Sequence, residues 1–317
     1  MKRMSSIKVK TINDLNLYIL NQNYGKTYTR FPFKDLTTLK IGGNIRLLFY
    51  PNSEQALLDV LSIINRNKFK YFLIGNGSNV LANDNYFDGV VIKLKDMNDY
   101  IRVNDDVVEV GAGLSIAKVI FSLMKYNLGG LEFLIGVPAS VGGLICMNAG
   151  AFKENISDYL LELRVINKEG KIENIKREKL KFSYRSSSVK DDNMIVLSAK
   201  FKLVKSNREE IKNKIKKYLG LRKERQPLDT YNAGSTFKNS IVNSAKLIDE
   251  CNLKGFNFND AYVSNKHANF LINSNKASAF DMIRLIYYIK DVVRKEKGVE
   301  LECEWVFINF DFEENVV

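Results

Sequence analysis

The chain has 317 residues, of which 45% are hydrophobic, 26% charged and 11% aromatic, and its formal net charge is +12. That length predicts two domains, and the ordinary apolar and charged shares exclude disordered, collagenous and low-complexity classes. Three cysteines without Cys-x-x-Cys spacing exclude a disulfide-built fold, and a single histidine, His267, excludes a His-rich metal centre.

In chain order, Met1-Lys2-Arg3 is basic, but no apolar stretch follows as in a secretory leader. Thr11 and Asp14 instead open a short amphipathic helix through Leu15, Tyr18 and Leu20. Residues 47–50 read as a strand ended by Pro51, and a helix follows from Ser53 to about Asn65. Strands are predicted at 71–74, 90–92 and 107–110, and a helix at 114–126. Segments 161–166 and 171–175 flank Glu169-Gly170, a two-residue hairpin signal, and 195–204 forms another strand. Beyond Pro227 the pattern becomes helix-rich, with helices at 244–251 and 280–295 and a last strand at 301–310. A boundary near 205–228 divides a β-rich N-terminal region from a smaller C-terminal one, and no solenoid-period repeat is present.

The positive charge invites a polyanion as partner, but its placement argues otherwise. Between Lys202 and Arg225 stand ten basic and three acidic residues, while Ile211, Ile215 and Leu219 recur every fourth position. This is the pattern of a helix with a solvated basic face, so no nucleic-acid partner is expected. Residues 134–152 form an uncharged window long enough to span a membrane. Gly136, Pro138, Gly142, Gly143, Asn148 and Gly150 would make it a poor helix in lipid. It reads as buried or ligand-facing loop and turn, and the protein as soluble and cytoplasmic, without a membrane partner.

Two small-residue loops could hold a diphosphate. Gly75-Asn76-Gly77-Ser78-Asn79 directly follows a strand, so successive backbone N–H groups can point at one anion, with side-chain donors added by Ser78 and Asn79. It lacks both the third glycine of a dinucleotide fingerprint and the Lys-Ser/Thr of a P-loop. The second runs from Gly136-Val137-Pro138-Ala139-Ser140-Val141-Gly142-Gly143 to Met147-Asn148-Ala149-Gly150. Close packing of backbone would require the same small residues. Val110-Gly111-Ala112-Gly113, with Ala117, imitates a Rossmann turn, but no second βαβ unit follows and Glu132 does not stand at a strand end.

Taken in order, the segments closely resemble the UDP-N-acetylenolpyruvoylglucosamine reductase (UDP-N-acetylmuramate dehydrogenase) family, flavoenzymes of peptidoglycan precursor synthesis. The resemblance begins at Thr37-Thr38-Leu39-Lys40-Ile41-Gly42-Gly43 and continues through the Ile74–Asn79 loop, Gly130-Leu131-Glu132-Phe133-Leu134 and both parts of the second Gly-rich segment. It resumes at Tyr184-Arg185, Ala233-Gly234-Ser235-Thr236-Phe237-Lys238-Asn239, Val263-Ser264 with Lys266-His267-Ala268-Asn269-Phe270, and Glu302-Cys303-Glu304. Each segment is weak alone; their common order over residues 37–304 is specific.

The resemblance implies an α+β protein: a vanillyl-alcohol-oxidase (PCMH) type FAD-binding domain of two α+β subdomains, plus a smaller C-terminal substrate domain. The implied bounds are 1–33 for a lead-in, 34–205 for the FAD domain and 206–317 for the substrate domain, whose last strand returns to the active site. FAD would be non-covalent, with Gly75, Asn76, Gly77, Ser78, Asn79, Pro138, Ser140, Val141, Gly142, Gly143, Asn148 and Gly150 as its contacts. NADPH would reduce the flavin and leave, and UDP-N-acetylglucosamine enolpyruvate would follow it into the same pocket. By the same resemblance Ser235 is the proton donor, Arg185 stabilises the enolate-like charge and Glu304 assists. Tyr184, Lys238 and Asn239 would hold the sugar nucleotide, no metal is required, and the protein is expected to be a monomer.

Unaided, Arg185 lies in a serine-rich polar loop, Ser235 follows Gly234 as a cap or turn residue would, and Glu302 and Glu304 would share one face of a strand. Glu302 and His267 read as structural. Ser240, Asp260 and Asn265 depart from the family pattern, which puts turn geometry rather than chemistry in question. Only 50 positions separate Arg185 from Ser235, as in the class without an extra tyrosine-bearing loop. Two alternatives are another FAD oxidoreductase on the same fold, acting on an alcohol or sugar, and a basic nucleic-acid-binding protein.

Overall fold

The computed structural model describes residues 9–311, so Met1-Lys2-Arg3 lies outside the described residues. The chain divides into two compact units. The first takes the described part of Met1–Phe31 with Ile45–Gly75 and Asp88–Lys214; the second takes Pro32–Asn44, Asn76–Phe87 and the described part of Ile215–Val317.

The first unit begins with the helix Ile12–Asn21, opened by a reciprocal capping box between Thr11 and Asp14. Its Ile12, Leu15 and Ile19 are buried with Leu57, Val60 and Ile64 of the helix Glu54–Asn67, while Leu20 is exposed. Each such side chain, fully buried, stabilises the fold by about 2 kcal/mol over its exposed state. These helices accompany a four-stranded sheet in the order Gly25–Pro32, Asn44–Pro51, Phe87–Ile92, Lys70–Leu73. The last two strands are parallel, with Lys70 opposite Gly89.

A second sheet has five antiparallel strands in the order Ile172–Lys176, Leu160–Ile166, Ile195–Lys202, Val107–Gly111, Ile101–Asn104. One row across it alternates in charge: Arg102 faces Glu109, Glu109 faces Lys200, Lys200 faces Glu162 and Glu162 faces Lys176. Opposite charges set side by side support a single register. The hairpin Leu160–Ile166 to Ile172–Lys176 forms as expected, but its loop is longer than two residues. The pairing closes at Ile166–Ile172, and Asn167 N–H donates to the Lys171 carbonyl, so Glu169-Gly170 lies inside a wider turn.

The uncharged window also differs from a plain loop. Val141–Cys146 is a short helix whose N-cap is Ser140, with its hydroxyl accepting from the Gly143 N–H. In the basic helix Arg208–Arg225, Ile211 and Ile215 are buried, whereas Leu219 is exposed, so the apolar face ends a turn early.

The second unit is built on an antiparallel sheet in the order Tyr231–Ser235, Phe270–Asn273, Ala261–Val263, Asn257–Phe258. The helix Ala279–Lys297 lines its core through Met282, Leu285, Ile286, Ile289 and Val293. A Ser278–Asp281 capping box starts this helix and Gly298, at φ +67°, ends it. The expected strand at 301–310 is shorter: only Val306–Ile308 is a strand, parallel to Val80–Ala82, and Cys303 makes a single bridge to Phe237. Among the described residues no helix is long and apolar enough to cross a membrane.

Candidate active site

The small-residue loops owe their sequence first to close approach. In the first unit, a Cβ added to Gly75 would lie 2.3 Å from Ser140 Oγ, so only glycine lets the end of the first loop reach the helix cap. The N–H groups of Val141 and Gly142 donate to the carbonyls of Leu114 and Ala112, each at 2.9 Å. The backbone start of that helix is thereby bound to the protein, and Ser140 is the member of Pro138, Ser140, Val141, Gly142 and Gly143 whose hydroxyl meets Gly75. The Rossmann-like turn serves packing too. A Cβ on Gly111 would sit 1.7 Å from the Asn98 carbonyl, in a strand whose neighbours are both antiparallel.

Asn148 is 5% exposed, and its Nδ2 donates to the Ser183 carbonyl at 2.9 Å. Its Oδ1 is buried and has no hydrogen-bond partner among the described residues. A buried acceptor left without a donor in the protein is costly, so it is suited to a donor from a bound molecule. Gly150 lies in the short strand that follows, opposite Asn155, where an added Cβ would meet Asn155 Oδ1 at 2.3 Å. Ser183 pairs with Ser186, which makes Tyr184-Arg185 the two-residue tip of a small hairpin rather than an irregular loop. Arg185 is in the left-handed region at φ +56°, and its guanidinium lies 5.0 Å from the centre of the Tyr184 ring. Strained non-glycine backbone of this kind collects at functional positions.

Asn76, Gly77, Ser78 and Asn79 belong to the second unit. Gly77 has φ +65°, and a Cβ there would meet the Leu36 carbonyl oxygen at 2.1 Å. The Gly77 carbonyl accepts from Thr38 N–H, and the Thr38 hydroxyl reaches the Asn232 carbonyl at 2.7 Å. Asn79 Nδ2 donates to the Glu304 carbonyl at 3.0 Å, and Val306 N–H donates to the Asn79 carbonyl. A Cβ on Gly234 would lie 3.9 Å from the Ser78 carbonyl oxygen. The loop thus lies beside the segments that carry Ser235 and Glu304.

Ser235 ends the strand Tyr231–Ser235 opposite Phe270, after a register shift that Gly234 accommodates at φ +75°. It is neither helix cap nor turn residue. One residue on, Thr236 N–H donates to the Asn269 carbonyl at 2.8 Å and its own carbonyl accepts from Glu304 N–H at 2.7 Å. Lys238 N–H donates to the Glu302 carbonyl, and the Lys238 ammonium pairs with the Glu302 carboxylate. Glu302 therefore holds Lys238 by main chain and side chain. Asn239 Oδ1 accepts from Ser244 N–H at 3.0 Å. His267 accepts at Nδ1 from Asn269 N–H at 3.3 Å and its ring meets Phe270 edge-on. Burial holds its pKa below the usual histidine value, helped by the positive charge of Lys254.

A cleft of about 390 Å³ over the five-stranded sheet carries many charges: Glu54, Arg102, Glu109, Glu162, Arg164 and Lys200. They are already paired with one another, Arg164 with Glu54, Lys200 with Glu162 and Arg102 with Glu109. Among the described residues no group of three His, Cys, Asp or Glu side chains is placed to hold a metal ion.

Comparison with known proteins places the chain in one family. Residues 226–308 match the family model of the UDP-N-acetylenolpyruvoylglucosamine reductase C-terminal domain, and residues 45–176 match that of an FAD binding domain. The UDP-N-acetylenolpyruvoylglucosamine reductase of Bacillus pumilus is 37% identical over 295 residues, covering 92% of this chain and 97% of that protein. That of Clostridium tetani is 39% identical over 88% of this chain and 91% of its own length. The crystal structure of UDP-N-acetylenolpyruvylglucosamine reductase from Thermus caldophilus superposes with a TM-score of 0.75 at 30% identity, covering 90% of this chain and 98% of that one. The fold is accordingly α+β, an FAD-binding domain of the PCMH type with the family's C-terminal domain. The chain belongs to the UDP-N-acetylenolpyruvoylglucosamine reductase family.

Proposed function

We propose that this chain is an FAD-dependent reductase that uses NADPH to convert UDP-N-acetylglucosamine enolpyruvate to UDP-N-acetylmuramate, a step of peptidoglycan precursor synthesis. The observation that carries the proposal is the 37% identity to a reductase of that name over 92% of the chain. The FAD-binding region is 34–205 and the substrate-binding region 206–317, after a lead-in at 1–33. The enzyme acts in the cytoplasm as a monomer, without nucleic-acid or membrane partners.

The residues present fit a flavin dinucleotide. The buried Asn148 Oδ1, which has no donor among the described residues, would accept from a hydroxyl or N–H of the bound group. Gly75, Asn76, Gly77, Ser78, Asn79, Pro138, Ser140, Val141, Gly142, Gly143, Asn148 and Gly150 would hold it non-covalently. When bound, FAD supplies a two-electron relay, by which hydride from NADPH reaches the far alkene carbon of the enolpyruvyl group.

The chain's own residues then manage charge and proton. Hydride addition leaves a carbanion beside the substrate carboxylate, and the fixed guanidinium of Arg185 stabilises the enolate-like charge there. Ser235 donates its hydroxyl proton to that carbon, completing the lactyl ether. A serine is a weak acid, so it must be held in line and recharged; Glu304, tied through the Thr236 carbonyl to the same segment, assists. Tyr184, Lys238 and Asn239 hold the sugar nucleotide.

A purified preparation should be yellow with a flavin spectrum. In rapid-mixing experiments Ser235→Ala should keep NADPH-driven flavin bleaching and lose most of its reoxidation by the enolpyruvyl substrate. Survival of both half-reactions would remove Ser235 from the proton-donor role, and a colourless protein that binds nucleic acid in a salt-sensitive way would remove the whole proposal.

A further inference from the structure

Asn269 is 3% exposed and lies 34 positions beyond Ser235 in sequence. Its side-chain amide pairs with Phe237 in both directions: Phe237 N–H donates to Oδ1 and Nδ2 donates to the Phe237 carbonyl, each at 2.8 Å. Its main-chain carbonyl accepts from Thr236 N–H, also at 2.8 Å. The strand ladder ends at the pair Ser235–Phe270, so Asn269 takes over as its last rung, with a side chain standing in for a strand residue. On the opposite edge of the same segment, Thr236 accepts from Glu304, Phe237 bridges Cys303 and Lys238 donates to Glu302.

We propose that Asn269 is a positioning residue for proton transfer, fixing the segment 236–238 so that Ser235 and Glu304 keep one mutual placement. The proposal rests on the reading of Ser235 as proton donor. The physical case is that Asn269 is the side chain that satisfies both main-chain polar groups of Phe237. Buried amides of this kind admit one geometry, because any rotation leaves a donor or acceptor without a partner. Asp in its place keeps the acceptor for Phe237 N–H but sets a carboxylate oxygen against the Phe237 carbonyl. Ala removes both bonds. Either change frees the backbone beside Ser235 without touching substrate-binding side chains.

The test uses the flavin-loaded full chain with Asn269→Asp and Asn269→Ala. NADPH-driven flavin bleaching should proceed at the wild-type rate, whereas reoxidation by the enolpyruvyl substrate should slow about 100-fold, as misplacement of a reacting group by about 1 Å does. The solvent deuterium isotope effect on that phase should rise, because proton delivery becomes the slow event. Asn273→Ala is the control for general loosening. Asn273 is 2% exposed at the far end of the strand that Asn269 precedes, and it ties Leu39, Asn275 and Ala277 by its amide. It should lower the unfolding temperature and leave the ratio of the two half-reactions alone.

Equal slowing of both phases by the Asn269 variants, no slowing, or the same selective slowing by Asn273→Ala overturns the proposal. Should the Asn269 variants fail to fold, amide exchange in the wild type decides: Thr236 and Phe237 must be protected like core strand amides, and exchange at loop rates overturns it. A wild type whose reduced flavin is not reoxidised by the enolpyruvyl substrate refutes the assigned reaction instead, and leaves the exchange result to report on the clamp by itself.

Discussion

Glu304 donates its main-chain N–H to the carbonyl of Thr236 at 2.7 Å, which sets a carboxylate-bearing residue one position away from Ser235 on the facing chain. The same Glu304 accepts at its carbonyl from the Asn79 amide, so three remote segments, at 79, 236 and 304, meet in one hydrogen-bonded strip. Glu304 takes part in both bonds through its main chain, so exchange of its side chain leaves them in place and makes the carboxylate separable from the scaffold.

Glu304→Gln should therefore fold with unchanged thermal stability and bind flavin normally. Its reoxidation by substrate should slow by at least about 100-fold, the usual worth of a positioned acid–base group. Flavin reduction by NADPH should be spared. A variant that loses flavin or melts early would make Glu304 a structural residue.

Gly75 and Ser140 give a test by double substitution. Gly75→Ala places a methyl 2.3 Å from Ser140 Oγ, and the hydroxyl must leave its cap on Gly143 to make room. Loss of the cap costs about 1 kcal/mol, and flavin retention should fall with it. In a Ser140→Ala background the obstructing oxygen is already gone, so Gly75→Ala should then cost little more. Additive losses in the double variant would show that the two residues are not coupled.

Arg185 should trade stability against function. A non-glycine residue at φ +56° costs about 1 kcal/mol, partly offset by the contact of its guanidinium with the Tyr184 ring. Arg185→Gly should accordingly melt no earlier than wild type, while reoxidation by substrate slows about 100-fold or more for want of the fixed cation. Urea unfolding alongside rapid mixing checks both halves, and a destabilised Arg185→Gly would contradict the strain argument.

The contrast between legible and hidden features follows the range of the interaction. Thr11 with Asp14, and Ser53, announce their helices because a cap acts over three residues. The last strand is shorter than its apolar pattern at 301–310 predicts, because Val306–Ile308 pairs with Val80–Ala82 and nothing local fixes where the pairing ends. The small residues at 140–143 pointed to close approach, yet only the fold reveals that the Val141 and Gly142 N–H groups meet the carbonyls of Leu114 and Ala112. Arg185 carries no glycine or asparagine to mark its left-handed turn. Asn269 stood in plain view within Lys266-His267-Ala268-Asn269-Phe270, but its bonds to Phe237 span 32 positions and leave no periodic trace.

His267 links this strip to pH. Its Nδ1 accepts from Asn269 N–H, which requires the neutral ring, and burial with the nearby Lys254 charge lowers its pKa from 6.5. On acidification the unfolded chain takes up this proton first, at the ordinary histidine pKa, so the folded state loses stability as pH falls below about 6.5 and continues to do so down to the folded pKa. The carboxylates held low by their partners, Asp14 and Asp281 among them, act in a lower range, where burial raises Asp281 but Ser278 and Asn259 more than compensate. Going from about pH 7.5 to about pH 5.5, the wild type should lose more of its unfolding temperature than His267→Gln, whose uncharged amide has no such proton to gain. Parallel curves for the two proteins would mean that the imidazole is as easily protonated in the fold as out of it, and the hydrogen bond to Asn269 would then not hold the ring neutral.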